Sequence, residues 1–325
     1  MPDILSVVLR AISFVLQLQA AGAVFFAAAF GPALTISLTG IRSVARLSAF
    51  AALLAIAGHY VLQAARMAGE MSGIFDGSLQ ELAWNSTTGG SFSVRELGIL
   101  LIIAGMQNAS ARRTADHFFK STATVSPYSP AAWLKRLSSR GFTIVGIAGA
   151  VLVAASFTLT GHTSTNARRW ALAPLLLAHL LIVAFWFGAL MPLCLVTLRE
   201  SRERSARVIA LFSGAAVWLV PVVLVAGVAM AALLLPDVAA LGRPYGELLI
   251  AKVTLFALLM LLAALNKWRF GTALGGGDLR PSGQRGNPQW GQAGRKFRAV
   301  VIAEYVLLVA VLAVTAVMTT FFSPE

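Results

Sequence analysis

Few residues of this sequence have side chains that could bind a metal, and histidines carry most of that potential. The chain has four histidines, His59, His117, His162 and His179, and one cysteine, Cys194. Neutral imidazoles are common ligands for copper, zinc, iron and nickel. The sequence has no CxxC pair, no Cys/His zinc spacing and no GxSxG, HExxH or P-loop motif. The residues therefore favour metal binding over catalysis, and we predict that the protein is not an enzyme.

The composition indicates that these side chains belong to a membrane protein. Hydrophobic residues make up 58% of the chain and charged residues 12%, whereas an ordinary soluble domain carries about 25% charge. The net charge is +13, and the charged residues lie between apolar segments rather than on one face of a soluble domain. This distribution favours a positive-inside membrane protein over a nucleic-acid binder. We therefore predict an all-α polytopic membrane protein that is surrounded by a lipid bilayer and has no nucleic-acid partner.

About eight segments are candidates for transmembrane helices, since a span needs about 20 mostly apolar residues. The third is the weakest unless Val94, Arg95 and Glu96 belong to its outer end. The first exceeds a typical signal-peptide core and lacks a cationic start, so we expect it to stay on the protein. The eight run approximately Leu5–Phe30, Leu47–Gln63, Leu97–Ala111, Phe142–Leu159, Leu172–Leu195, Val208–Leu235, Leu248–Leu265 and Val300–Phe322.

The distribution of Lys and Arg predicts how the chain is oriented. Most of these residues lie in the odd-numbered connections, above all around 112–140 and 267–298, and Arg168–Arg169 in the fourth connection is the exception. The positive-inside rule places the odd connections in the cytoplasm and both termini in the periplasm. Residues 112–140 and 271–294 read as flexible cytoplasmic loops. In the outer loop, Met67–Ser93, we expect Trp84 and Phe92 to form a short cap.

In this orientation three of the histidines fall in the outer half of the membrane. At 1.5 Å per residue, His59 lies roughly 10 Å and His179 roughly 15 Å below the outer surface, and His162 is at the outer end of span four. We predict that the three converge on one metal site, with Met67 or Met230 as the sulfur neighbour. The alternative for each is an ordinary packing or loop role, as we expect for the fourth histidine in its basic loop.

A second set of polar and sulfur residues is predicted to line a pathway or to stabilise helix packing. Trp186 follows His179 by two turns on the same face, and the charge of Lys252 would repel a cuprous ion, which favours a structural or gating role. His59, Gln63 and Arg66 share one helical face, which we predict to point into the bundle. The full second set is Trp186, Lys252, Asn266, Glu304, Met106, Met191 and Cys194.

Four blocks of the chain, in order and spacing, resemble the copper resistance D (CopD) family of bacterial inner-membrane proteins. They are SRGFTIVGIAGAVLVAASFTLTGHTS, AHLLIVAFWFGALMPL, RPYGELLIAKVTLFALLMLLAALNKWRF, and the last span with Glu304. The first half resembles the family more loosely, through AGAVFFAAAFGP, GHYVLQAARMAGE and TTGGSFSVRELGILL. One departure is Ala189, where the family usually has a second glycine after the Trp; we expect an effect on helix packing rather than on chemistry.

The resemblance divides the chain into two parts and implies a function. Residues 1–138 form an N-terminal half of about three spans with the basic loop 112–140, and residues 139–325 form a CopD-like core of about five spans. The resemblance implies a copper ion, Cu(I) or Cu(II), in a protein of the bacterial inner membrane that takes part in copper homeostasis or resistance. It also implies transport from periplasm to cytoplasm and a periplasmic copper-binding (CopC-like) partner.

Two other interpretations stay open at this point. A pair of histidines on different helices, such as His59 and His179, can ligate haem b in a membrane electron-transfer protein. A protein that senses copper or tethers a copper carrier without transporting the ion would carry the same residues.

Overall fold

A computed structural model of the protein describes residues 2–107, 130–235, 237–275 and 288–322, apart from some side chains within those ranges. These residues form helices and turns, and no strand occurs among them. The all-α prediction is therefore confirmed. The α-helices are α1 (Pro2–Phe30), α2 (Ser37–Ala68), α3 (Gly77–Trp84), α4 (Thr87–Gly105), α5 (Pro130–Ser156), α6 (His162–Thr165), α7 (Arg169–Arg199), α8 (Arg202–Leu234), α9 (Pro244–Gly275) and α10 (Pro288–Phe321).

Among the described residues, seven of these helices are long and apolar enough to cross a membrane: α1, α2, α4, α7, α8, α9 and α10. The other predicted span lies in α5, whose apolar stretch, Thr143–Leu159, is shorter. Near the start of α1, Arg10 Nη1 donates to the carbonyl of Thr319 near the end of α10, at 2.8 Å. The start of α1 and the end of α10 thus lie at one face of the bundle, where an even number of crossings would place them. The crossing by α5 stays a prediction.

Several helices extend further than the apolar segments predicted. Helix α4 begins at Thr87, so Arg95 and Glu96 belong to it, and it ends at Gly105 rather than at Ala111, which lies outside the described residues. Helix α5 already begins at Pro130, inside the predicted loop 112–140, and α9 continues to Gly275, inside the predicted loop 271–294. Lys, Arg and Leu are good helix formers, and Pro suits a first helical turn, so a basic segment need not be a loop.

Close backbone contacts between glycines hold the bundle together. On α1, a Cβ added to Gly22 would lie 2.5 Å from the Cα of Gly188 on α7. Helices α4 and α5 meet in the same way, where a Cβ on Gly98 would lie 2.8 Å from the carbonyl oxygen of Gly149. Small residues let membrane helices approach closely enough for extensive van der Waals contact. These two contacts join α1 to α7 and α4 to α5.

The two aromatic residues predicted to cap the second connection, Trp84 and Phe92, pack against each other. The ring of Tyr60 on α2 stacks on Phe92 at 4.4 Å between centroids, and Trp84 meets Tyr60 edge-on at 6.2 Å. Asp76 caps the N-terminus of the short helix α3, which carries Trp84, because its carboxylate accepts hydrogen bonds from the backbone N–H groups of Ser78 and Leu79. The hydrogen bond from the Ser78 hydroxyl contributes most to lowering the pKa of Asp76.

At the other face of the bundle, Glu200 joins the α7–α8 turn to the start of α2. Its Oε1 accepts from the backbone N–H groups of Thr35, Ile36 and Ser37 at 2.8–3.0 Å and from the Ser37 hydroxyl at 2.6 Å. Arg204 also donates to the Thr35 hydroxyl. Burial alone would raise the pKa of Glu200, but the hydrogen bonds from Ser37, Ile36 and Thr35 outweigh it and lower that pKa to about 2.

Candidate functional site

His179 lies in the first half of α7 and has a defined hydrogen bond across to α8. Its Nδ1 is 3.2 Å from the carbonyl oxygen of Val223. Because a carbonyl oxygen can only accept, Nδ1 carries the proton, and the neutral ring keeps the Nε2 lone pair free. A carbonyl that fixes the tautomer of a histidine in this way is the usual second contact of a metal-ligating imidazole. The geometry suits His179 to metal binding through Nε2.

The face of α8 that meets His179 also carries a methionine. The ring of His179 packs beside Gly227, where an added Cβ would lie 3.7 Å from Cε1. Val223, Gly227 and Met230 are spaced i, i+4 and i+7, so they share one face of α8. Met230 is half-buried on that face. Met230 is therefore the predicted sulfur ligand that shares the face of α8 on which Val223 and Gly227 meet His179.

Helix α9 completes the surroundings of His179. The charge of Lys252 acts on His179. Within the described part of the chain, neither Lys252 nor Glu247 forms a salt bridge. One turn beyond Lys252, Phe256 meets the buried ring of Trp186 edge-on at 6.2 Å. The α7 stripe of His179 and Trp186 thus faces α8 and α9.

His59 has different surroundings, at the α1–α2 contact. Arg10 Nε donates to His59 Nε2 at 3.3 Å, and one end of the same α2 face is held by an ion pair of 2.9 Å between Arg66 and Asp3. The prediction that this face points into the bundle is confirmed. The guanidinium of Arg10 occupies the nitrogen that would bind a metal, so His59 could become a ligand only after Arg10 moves.

The shared site of three histidines remains a prediction. His59 contacts α1, whereas His179 contacts α8. The backbone of His162 begins α6, but its side chain lies outside the described part of the structure. Among the side chains that are described, no group of three or more His, Cys, Asp or Glu residues could hold a metal ion together.

The other predicted residues occupy varied environments. Met106 is buried in the hydrophobic core, and Cys194 is half-buried and packs against that core. Met67 and Met191 are exposed on the bundle surface, at 45% and 44%. Glu304 is buried and has an interaction partner. The side chain of Asn266 and all of His117 lie outside the described residues.

Sequence reasoning missed a polar stripe on α1. It consists of Asp3, Ser6, Arg10, Ser13 and Gln17, whose spacings of three and four place them on one helical face. Ser6, Ser13 and Gln17 are buried, and the Ser6 hydroxyl and both polar atoms of the Gln17 amide have no hydrogen-bond partner. The regular spacing of polar residues in an otherwise apolar span was the available signal.

Comparison with known proteins points to the family that the sequence resembles. Residues 206–318 match the family of copper resistance protein D. This segment contains most of α8, all of α9 and most of α10. The match supports assignment of this multi-pass membrane protein to that family. The family's name supports a role in copper resistance. No curated protein and no solved structure gives a significant match.

The matched segment contains four of the predicted site residues, Met230, Lys252, Asn266 and Glu304. His59, His162, His179, Met67 and Trp186 lie outside it. The match therefore covers the helices that face His179 rather than His179 itself.

Proposed function

We propose that this protein binds copper within the membrane at His179 and moves it from the periplasm toward the cytoplasm. The observation that carries the proposal is the hydrogen bond from His179 Nδ1 to Val223, which leaves Nε2 free on a helix face shared with α8 and α9. Imidazole nitrogen and thioether sulfur are both suitable copper ligands, and the thioether favours Cu(I). Met230 supplies the sulfur in this proposal.

His59, His162 and Met67 are proposed as further ligands at the periplasmic side. His59 would join the site when Arg10 releases its Nε2. Inward of His179 on α7, Met191 and Cys194 offer softer ligands to which Cu(I) could pass. A periplasmic copper-binding protein of the CopC type, and the bacterial inner membrane as the location, belong to the same proposal.

Lys252 is proposed to assist release. Its positive charge acts on the imidazole that would hold the ion, and like charges in a low-dielectric interior repel strongly. A cation beside the ligand lowers the affinity of the site, which favours transfer of the ion over storage. Trp186 closes the inward end of the same stripe by its packing on Phe256.

The test compares His179→Ala with His59→Ala in purified full-length protein. Copper content is measured by mass spectrometry, and an absorption spectrum is taken on the same sample. We expect His179→Ala to lower copper affinity by about ten-fold or more and to impair copper-dependent growth. Unchanged copper binding and growth with well-expressed His179→Ala would overturn the proposal.

Two further outcomes separate the alternatives. A Soret band in the spectrum would identify haem b in place of copper. Copper bound by the protein without copper flux in proteoliposomes would identify a sensing or tethering protein rather than a transporter.

A further inference from the structure

Arg10 and Arg95 are two guanidinium groups inside the helix bundle that lack a carboxylate partner. Within the described part of the chain, neither has an acidic oxygen within 4.0 Å. Arg10 donates to Thr319 and His59, and Arg95 donates to the hydroxyls of Ser156 and Ser91. All these acceptors are neutral. Placing a charged side chain inside the membrane costs free energy, and such side chains are normally paired. We therefore expect these two cations to bind an anionic group.

The structure places the two arginines in one neighbourhood. The guanidinium of Arg95 lies over the ring of Phe157, with its central carbon 4.3 Å from the ring centroid. That ring meets Phe14 of α1 edge-on at 5.5 Å, and Phe14 follows Arg10 by one helical turn. The charge of Arg10 acts on Arg95, and both charges act on His59.

Hydrogen-bond donors without partners accompany the cations. Ser6, one turn before Arg10 on the polar stripe, is completely buried, and its hydroxyl has no partner. His59 accepts from Arg10 at Nε2, so its neutral ring presents an N–H at Nδ1. Donors and positive charge together are what an anion requires.

We propose that Arg10, Arg95, His59 and Ser6 form an anion-binding site between α1, α2 and α4, and that its ligand is an oxyanion, a phosphate or carboxylate group. The planar fork of a guanidinium matches the two oxygens of such groups, which a spherical halide does not offer. The bound group neutralises the cluster. It comes either from solution or from the headgroup of an anionic lipid, and the two sources share this chemistry.

Glu96 follows Arg95 in the chain and carries the opposite charge, so its effect on anion binding should be opposite to that of the arginines. Its charge acts on Arg95, but its buried Oε1 accepts no hydrogen bond. The carboxylate therefore opposes an incoming anion without replacing it. Removing its charge by Glu96→Gln should tighten anion binding, whereas removal of either arginine should weaken it.

The experiment follows thermal unfolding of the full chain in neutral detergent by tryptophan fluorescence, with inorganic phosphate or acetate replacing chloride at constant ionic strength. We expect a saturable rise of the midpoint with either oxyanion. Arg10→Gln and Arg95→Gln should each weaken the apparent affinity for the oxyanion by roughly ten- to hundredfold, because each removes one charged hydrogen bond. Arg243→Gln, at an exposed position, is the matched control and should change nothing.

A second arm uses nanodiscs that contain phosphatidylglycerol or only phosphatidylcholine. Stabilisation by phosphatidylglycerol that Arg10→Gln and Arg95→Gln abolish identifies a lipid headgroup as the ligand, and a phosphate effect in detergent identifies a free oxyanion. If Arg10→Gln does not fold, Arg10→Lys keeps the charge and loses the fork. Absence of any saturable effect in both arms, or an effect that survives Arg10→Lys and Arg95→Gln, overturns the site.

Discussion

Gly22 of α1 and Gly188 of α7 lie backbone against backbone, and neither has space for a Cβ. A Cβ on Gly22 would reach the Cα of Gly188, and one on Gly188 would lie 2.5 Å from the Cα of Gly22. Beside this contact, the side-chain amide of Gln19 donates to the carbonyl of Gly188 at 3.1 Å. The contact fixes the polar stripe of α1 relative to the helix that carries His179.

Substitution of Gly22 by Val should separate α1 from α7 and destabilise the protein by about 1–3 kcal/mol, the usual cost of overpacking. Cys194 is the one cysteine and is half-buried, so its reaction with a thiol-specific fluorophore on heating reports unfolding. Gly214→Val is the control, because nothing lies within 4 Å of a Cβ at that position. Equal melting of both variants would contradict the close contact.

Reporters fused at the two termini should be found on the same side of the membrane, because Arg10 and Thr319 share a hydrogen bond. The positive-inside rule predicts that this side is the periplasm and that a reporter within 276–287 is cytoplasmic. Alkaline phosphatase and green fluorescent protein fusions measure both. Termini on opposite sides would contradict the eight-crossing topology, whereas both termini in the cytoplasm would contradict only the orientation.

Glu200 should stabilise the protein above pH 4.5 and lose this effect on acidification. Its pKa falls from 4.5 to about 2 on folding, so the unfolded state takes up the proton first. The contribution is full above pH 4.5 and declines as the pH falls toward 2. Thermal unfolding followed by tryptophan fluorescence across this range should show a steeper acid decline in wild type than in Glu200→Ala.

At neutral pH, Glu200→Ala should cost about 1.5–3 kcal/mol, because it removes a charged acceptor from backbone and hydroxyl donors. Glu81→Ala, on α3, is the control at an exposed carboxylate. An identical acid decline in wild type and Glu200→Ala would show that the contact does not set the pH dependence.

Enlarging Gly227 should impair copper binding without removing any ligand. A Cβ at Gly227 makes ordinary contact, 3.7 Å from His179 Cε1, so Gly227→Ala should bind copper as wild type does. Gly227→Leu should push the imidazole away from Val223 and weaken copper affinity by about ten-fold or more. Copper content and competition with a chromogenic chelator measure the effect. Normal binding by Gly227→Leu would argue against a site on this face.

The apolar segments could be recognised from the sequence because the bilayer demands them. A helix that crosses hydrocarbon satisfies its own backbone hydrogen bonds and must be apolar over most of its length. This requirement is local, so the all-α class and the seven helices that are long and apolar enough to cross a membrane were predictable. Their ends were not, since polar helix formers continue a helix into water, as at Pro130–Arg140 of α5.

The membrane depth of each histidine could also be predicted from its position within one apolar segment. The hydrogen-bond partners of each histidine could not. The sequence predicts that His59 and His179 lie in the same half of the membrane. Only the packing of α1 on α2 and of α7 on α8 decides that one accepts from Arg10 while the other donates to Val223. Hydrogen-bond partners come from residues 44 or more positions away along the chain, and no periodicity within one helix encodes them.

By itself, therefore, the sequence determined an all-α membrane protein, the segments that cross and the resemblance to a copper resistance family. The tertiary structure decided which imidazole nitrogen is free, that Arg10 and Arg95 lie in one neighbourhood and form no ion pair within the described part of the chain, and that Gly22 and Gly188 bring α1 onto α7. The physical reason is that a bilayer selects each span separately by its apolar surface, whereas polar contacts inside the bundle form only after the spans have packed against one another.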